Sequence, residues 1–469
     1  MTGKKLGGES HTPHSSRTRR QLLAGLAAAT STAVAGCQSL PGFGDESTPT
    51  YTPAEADTVL ESDGPTLEWP VPVEPDADAL EDALERTDTL IDEIPEPLEE
   101  SHIPNGVIRE TIDENRLEAM AGRDEAADTV GADRYHALRD AREQHKVARE
   151  AATAWLAIDA DRDDLLTELR DEYDAVQSAL ADRRAEPEYR GEDTDAGRLR
   201  ATLYAFQRDG DLQHAERTLN RWDVHEADDV LEIGESAGDL ELGTTTTRIW
   251  AHFDERYASG IADGDGDHYL EAVFEDTLEQ SIERANEADF PSQDGESEAW
   301  YEAVGLDGFD GTRSLESVIW QAGSSIHQAH ESMEDTLEAE TFGLGLQRAL
   351  EFEQSLRGFE RVRDRIADGD VEAPDDSDEI RAQRAAALEA AQTARDAVPL
   401  DEPSLGAYRL AETLQELSWT DDAVARAASR DPEMNVTLTD EYGEYAKYQA
   451  ELEVLPEAVE AFRDRLLER

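Results

Sequence analysis

Apolar residues along most of the chain recur every three or four positions, which is the spacing of one face of an α-helix. A clear run includes Leu138, Ala141 and His145, and no glycine or proline interrupts residues 132–186. The aspartates within residues 159–164 predict a turn between two long antiparallel helices, with His145 in the core. We therefore predict an all-α protein of long antiparallel helices in irregular bundles, with a solenoid as the alternative.

Segments rich in glycine, proline and aspartate divide the predicted helices, and the glycines within Gly234–Gly243 mark one such break. Seven prolines among polar and acidic residues after Cys37 leave no periodic apolar face, which predicts a disordered tether. The predicted parts are a signal peptide over 1–36, the tether over 37–75, an N-terminal helical domain over 76–238 and a C-terminal helical domain over 239–469.

The start of the chain resembles a twin-arginine export signal. Thr18 precedes Arg19 and Arg20, and leucines follow shortly after. The apolar stretch over residues 22–35 has about fourteen residues, whereas a membrane-spanning helix needs about twenty. This stretch is therefore typical of the apolar region of a signal peptide. The resemblance implies recognition by the twin-arginine export machinery.

The apolar stretch ends in Val34, Ala35, Gly36 and Cys37, which resemble a lipobox. Cys37 is the only cysteine, so the chain has no internal disulfide and no cysteine-rich zinc site. The resemblance implies that Cys37 carries a lipid that anchors the protein to the extracellular face of the cell membrane. The alternatives are a small buried cysteine and a signal that is cleaved without lipidation.

The charge of the chain is strongly negative, with 110 Asp and Glu against 43 Lys and Arg and a formal net charge of -67. Only four of the basic residues are lysines. This composition resembles that of proteins from extremely halophilic archaea, where salt at about 1 M shortens the Debye length to about 3 Å and screens self-repulsion. An acidic protein of a mesophile is the alternative. Such a charge repels nucleic acid, so we predict no nucleic-acid binding.

Asp263, Asp265 and Asp267 alternate as the first ligands of an EF-hand calcium loop do. The pattern then fails, because His268 replaces the glycine at the sixth position and Phe274 replaces the glutamate at the twelfth. The alternative is an acidic turn in which Asp267 caps the following helix.

His327, His330 and Glu334 are spaced by three and four residues, so they share one face of a predicted helix beside Glu331. Imidazole and carboxylate ligands suit a transition metal if other helices add ligands. The order matches neither helical zinc-peptidase motif, and a solvated helix flank is the alternative. Apart from calcium or a transition metal at these positions, we predict no cofactor.

Asn435, Val436 and Thr437 form a glycosylation sequon, which export would expose to modification. The sequence has neither a glycine-rich phosphate loop nor a Gly-x-Ser-x-Gly motif, and its many carboxylates do not single out a catalytic pair. Catalysis is therefore not favoured.

These features together favour a lipid-anchored surface protein of a halophilic archaeon, whose helical body binds or scaffolds an envelope protein or a small ligand. The first alternative is a lipoprotein that captures a ligand or metal for a transporter. The second is an extracellular helical hydrolase that uses acidic residues.

Overall fold

Helices form wherever the three-to-four spacing of apolar residues is sustained, as the computed structural model of the chain shows. The structure describes residues 49–66, 68–185, 189–223, 227, 229–262, 268–295, 297–306 and 313–468. Within these ranges there are fourteen helices and one pair of two-residue strands. The prediction of an all-α protein is confirmed.

The helices of the first half are α1 (Pro53–Val59), α2 (Ala77–Ile91), α3 (Gly106–Ala127), α4 (Asp133–Leu156), α5 (Arg162–Arg184), α6 (Asp195–Asn220) and α7 (Val230–Ala262). Those of the second half are α8 (Glu271–Ala288), α9 (Ser297–Ala303), α10 (Arg313–Glu338), α11 (Phe342–Asp368), α12 (Ser377–Ala397), α13 (Leu405–Ala428) and α14 (Thr439–Leu467). The strands β1 (Arg190–Gly191) and β2 (His268–Tyr269) are antiparallel, with Arg190 opposite Tyr269.

The first half is organised around α4 and α7, which pack along each other, while α2 and α3 cover α4. Tyr135 and Phe253 meet in this core with their ring centroids 4.7 Å apart. His145 is fully buried, as predicted, with Nε2 2.8 Å from the carbonyl oxygen of Ala83 and Nδ1 3.0 Å from the hydroxyl of Thr245. Burial lowers the pKa of His145 to about 4, so this side chain is neutral at pH 7.

In the second half α11 packs between α10 and α14, and α12 lies against α14. Contacts between α6 and α11 join this half to the first. One cluster joins Leu199, Ala201, Leu203 and Ala205 of α6 to buried apolar residues of the second half, while other buried residues of α6, such as Leu212 and Leu219, belong to the core of the first half. By its contacts Pro49–Arg469 forms one compact unit, and the division into domains 76–238 and 239–469 stays a prediction.

The predicted tether is wrong from residue 49 onward. The backbones of Tyr51 and Val436 exchange two hydrogen bonds of 2.8 and 2.9 Å, and Ala56 and Val59 of α1 are fully buried. Proline does not prevent this helix, because Pro53 occupies its first turn, where the missing N–H is not needed. Residues 37–48 lie outside the described part of the chain.

The predicted break over Gly234–Gly243 and the boundary at 238 fall inside the continuous helix α7. The glycines permit close packing of α7 against α4. A Cβ atom on Gly238 would lie 2.4 Å from Cγ of Glu150, and one on Gly234 would lie 2.5 Å from the carbonyl oxygen of Glu150. These glycines let α7 approach α4 more closely than any side chain would permit.

Candidate functional site

A cavity of about 510 Å³ lies between the end of α5, strand β1 and the facing sides of α6 and α7. Its size is in the range of cavities that bind small organic molecules. Its lining residues are Arg183, Ala185, Tyr189, Arg190, Ala201, Tyr204, Ala205, Arg208, Asp254, Tyr257, Ala258 and Ile261.

Helical periodicity explains which residues reach the cavity. Helix α6 contributes positions 201, 204, 205 and 208, and α7 contributes positions 254, 257, 258 and 261. Both sets have the spacing i, i+3, i+4, i+7, which places four side chains on one face of a helix. Alanine occupies several of these positions. Its small side chain leaves a space between the two helices that larger apolar side chains would fill.

Asp254 is the polar centre of the cavity. Its carboxylate accepts hydrogen bonds from Arg183 Nη1 at 3.1 Å, from Arg208 Nε at 3.2 Å and from the hydroxyl of Tyr204 at 2.6 Å. Arg208 also donates from Nη2 to the carbonyl oxygen of Arg183 at 2.8 Å, which joins α6 to the end of α5. Two guanidinium groups therefore share one carboxylate.

Two stacked tyrosines form part of the lining. The rings of Tyr204 and Tyr257 are stacked, with centroids 4.0 Å apart and an angle of 4° between the planes. Burial raises the pKa of Tyr204 well above its usual value, and the nearby Asp254 raises it further. Burial likewise raises the pKa of Tyr257 to about 12. Both phenols therefore keep their protons at neutral pH and act as uncharged hydrogen-bonding groups.

A buried acid, Asp209, lies beside the cavity. Its Oδ2 lies 3.0 Å from the hydroxyl of Tyr189 and accepts a 3.0 Å hydrogen bond from the backbone N–H of Gly343. Burial raises the pKa of Asp209 to about 6, against the opposing effect of the positive charge of Arg208. Asp209 and Arg208 both line a smaller cavity of about 210 Å³ next to the first.

The predicted histidine site lies elsewhere, on α10. Nε2 of His327 is 2.9 Å from the carbonyl oxygen of Pro291, and Nε2 of His330 is 3.8 Å from the Glu334 carboxylate. A carbonyl oxygen only accepts, so Nε2 of His327 carries the proton in this contact and is not a free metal ligand. Across the described ranges, no group of three or more His, Cys, Asp or Glu residues is arranged to hold a metal ion.

The other predicted sites are placed as follows. Asn435 is exposed and immediately precedes Val436, whose backbone pairs with Tyr51. The possible calcium ligands Asp263, Asp265 and Asp267 lie outside the described residues, as do Arg19, Arg20, Val34, Ala35, Gly36 and Cys37. No helix in the described part of the chain is both long and apolar enough to cross a membrane.

Sequence reasoning missed the cavity, although one signal was present. Helix α6 contains four arginines in a chain where acids greatly outnumber bases, although only Arg208 among them lines the cavity. The partner Asp254 is 46 residues from Arg208 and 71 from Arg183, so only the fold shows which acid they share.

Matches to two known families span most of the helical part of the chain. Residues 78–263 are similar to a family described as domain of unknown function DUF8262, and residues 271–464 to one described as domain of unknown function DUF8264. No curated protein and no solved structure matches the chain. All the cavity residues lie within the first match, whose end at residue 263 follows the end of α7.

Proposed function

We propose that this chain is a lipid-anchored protein on the extracellular face of a halophilic archaeal membrane, and that its helical body binds a small ligand. The observation that carries the binding role is the cavity between α6 and α7, with its mixture of apolar walls and a few convergent polar groups. A ligand-capturing lipoprotein would hold such a cavity outside the cell, where a transporter could receive the ligand.

The anchored location is supported by the order of motifs at the start of the chain. Arg19 and Arg20 precede the apolar stretch, and Cys37 follows Val34, Ala35 and Gly36 at its end. Twin-arginine export carries proteins that have already folded. This route suits a body whose acidic surface needs the high salt of the cytoplasm in order to fold.

Binding is favoured over hydrolysis by the chemistry of the lining. Acid–base hydrolysis with carboxylates uses two of them, one as acid and one as base or nucleophile. The described lining of the cavity has one carboxylate, Asp254, which is held by Arg183, Arg208 and Tyr204. This arrangement suits recognition of a ligand better than proton transfer.

The anchored location is tested by expressing the full chain in a halophilic archaeon and measuring its intact mass in membranes. We expect a chain that begins at Cys37 and carries a lipid, and we expect Cys37→Ser to release the protein into the medium. Unprocessed protein in the cytosol, without a lipid, would contradict the proposed location.

Export is tested with a variant that preserves charge, Arg19→Lys combined with Arg20→Lys. We expect the unprocessed protein to accumulate in the cytosol, because the export machinery reads the paired arginines and not their charge. Arg17→Lys is the matched control, since it makes the same exchange two positions before the motif. Normal export of the double variant would show that another route is used.

A further inference from the structure

We propose that a second cavity, between α13 and α14, binds an alkylated ammonium ion. This cavity has a volume of about 340 Å³ and lies between the second half of α13, the first half of α14 and one residue of α10. It shares no lining residue with the cavity between α6 and α7, so the inference goes beyond the proposed function. Its lining residues are Gln321, Glu416, Trp419, Thr420, Ala423, Asp440, Glu441, Glu444, Lys447 and Tyr448.

An exposed tryptophan is the first reason. Trp419 lines the cavity and is 56% exposed, although a tryptophan side chain gains a large hydrophobic stabilisation when it is buried. The cation–π contacts within the described ranges do not involve its ring. The indole ring is therefore accessible to a ligand in the cavity.

Carboxylates lie beside this ring. Glu416 precedes Trp419 by three residues on α13, and the start of α14 adds Asp440, Glu441 and Glu444 to the lining. Glu444 lies 3.6 Å from Nζ of a lysine of the lining, whereas Asp440 forms no ion pair with any residue in the described part of the chain. An aromatic ring attracts a cation to its face, and a neighbouring carboxylate adds an ion pair.

The protein already places one ammonium group against an aromatic ring in this cavity. Nζ of Lys447 lies 4.8 Å from the centroid of the Tyr448 ring, and the same atom is the partner of Glu444. The lining therefore accommodates an ammonium group between a ring and a carboxylate. Trp419 is a second ring of the lining, and the described residues provide no cation for it.

A buried carboxylate next to the lining also favours a cation. Glu451 continues the i, i+3, i+4, i+7 series that begins at Glu444, so it lies on the face of α14 that lines the cavity. Glu451 is 7% exposed, and its Oε2 has no hydrogen-bond partner among the described residues, although Lys447 and Arg409 are near enough to interact with its charge. Burial raises the pKa of Glu416 to about 7, and Glu451 raises it further. A bound cation would stabilise the ionised form of both carboxylates.

Hydration decides between an organic and an inorganic cation. In salt at about 1 M the Debye length is about 3 Å, so exposed carboxylates attract a cation mainly by direct contact. A cation gains from the ring of Trp419 only where it loses its bound water. An alkylated ammonium ion holds water weakly, and its carbon atoms also bury apolar surface against the indole. We therefore expect the cavity to select such an ion over K⁺ or Na⁺.

The test compares three probes of similar shape: choline, 3,3-dimethylbutan-1-ol and 3,3-dimethylbutanoate. The alcohol is choline with carbon in place of the charged nitrogen, and the third probe carries a negative charge. Binding to the full-length protein is measured by ligand-observed NMR at one KCl concentration where circular dichroism shows the wild type to be folded. We expect choline to bind about tenfold more tightly than the alcohol, and the anion to bind more weakly than either.

Two pairs of variants place choline in this cavity. Trp419→Leu retains an apolar side chain without a ring and should weaken choline binding about tenfold, whereas Trp419→Phe retains a ring and should preserve most of it. Both changes are at an exposed position, where substitutions disturb the fold little. Asp440→Asn should weaken choline binding about two- to fivefold. Asp422→Asn is the matched control, because it removes the same charge from an exposed position of α13 outside the lining.

The outcomes separate the site from the class of its ligand. If the alcohol binds as tightly as choline and Trp419→Leu abolishes the binding of both, the cavity is a ligand site but the ammonium class is wrong. If Trp419→Leu leaves choline binding unchanged, choline is a counterion of the acidic surface and the proposal is wrong. If choline binding persists in Trp419→Leu but is lost in Ala258→Leu, which narrows the cavity between α6 and α7, choline belongs to that cavity instead. If choline does not bind, this inference is contradicted, while the cavity between α6 and α7 and the membrane anchor are decided separately.

Discussion

Replacing Asp211 by asparagine should destabilise the fold severely, because this buried carboxylate pairs with two partly buried arginines. It accepts hydrogen bonds from Arg139 through Nε at 2.9 Å and Nη2 at 2.8 Å, and from Trp250 Nε1 at 3.0 Å. Nη1 of Arg142 lies 2.9 Å from the same carboxylate. Asp211→Asn preserves the shape of the side chain but removes its charge. It also replaces an accepting oxygen with an NH₂ group that faces donors.

The expected loss is about 3–5 kcal/mol in the free energy of unfolding, the range for removing one partner of a buried ion pair. Burial opposes ionisation of Asp211, but Arg139 and Arg142 outweigh it and lower its pKa. A lowered carboxyl pKa stabilises the fold above the unfolded value of about 3.9, and this contribution is lost as the pH falls through the folded value. The full effect is therefore present at pH 7.

The assay is urea unfolding at pH 7 and one fixed, high KCl concentration, followed by circular dichroism. Asp364→Asn is the control, because Asp364 pairs with Arg363 at 2.7 Å while its side chain remains 64% exposed. An exposed pair contributes at most about 1 kcal/mol, and less in high salt. A loss for Asp211→Asn no larger than that for Asp364→Asn would refute the role given to this buried network.

Three further predictions test the packing and the protonation of the body. Gly238→Ala should lower the free energy of unfolding by about 1–3 kcal/mol, measured by thermal or urea unfolding, because its Cβ would lie 2.4 Å from Cγ of Glu150. In the same helix the Cβ of Gly260→Ala would meet no atom within 4 Å, so this variant should be neutral or stabilising. Burial raises the pKa of Glu150 to about 8, so its ionisation opposes folding increasingly as the pH rises from about 4 to 8. In unfolding titrations, Glu150→Gln should therefore stabilise the protein at pH 8 but not at pH 4. A chain that begins at Pro49 should unfold at the same temperature as the full-length chain, whereas one that begins at Ser62 should unfold at a lower temperature, because it lacks the buried Ala56 and Val59.

The helical body was predictable because the spacing of its apolar residues is sustained. Short or ambiguous segments were not predictable in this way. Leu138, Ala141 and His145 have the spacing of a buried face, and all three are buried. Helix α1 has only seven residues, too few for a periodic pattern, and it is stabilised by partners far along the chain. The glycines of α7 were misread because a glycine that permits close helix packing looks the same in sequence as one that ends a helix.

The site was unpredictable for a different physical reason. A cavity arises where side chains from several elements fail to fill a space, which depends on how those elements pack. Ala205 and Ala258 are unremarkable alanines within their own helices, and only the pairing of α6 with α7 makes them face one space. The acid that balances the arginines likewise cannot be chosen among 110 candidates until the fold is known.

The distribution of charge between the surface and the core determines how we expect the stability of the body to depend on salt. Arg384 is 2% exposed and pairs with Asp421. Glu353 is 1% exposed and lies within 4 Å of three arginines, Arg284, Arg357 and Arg465. Buried pairs such as these are little affected by dissolved ions, while repulsion among exposed carboxylates grows as salt is removed. We therefore expect that removing salt unfolds the protein by increasing the repulsion among exposed carboxylates, and not by weakening the buried ion pairs.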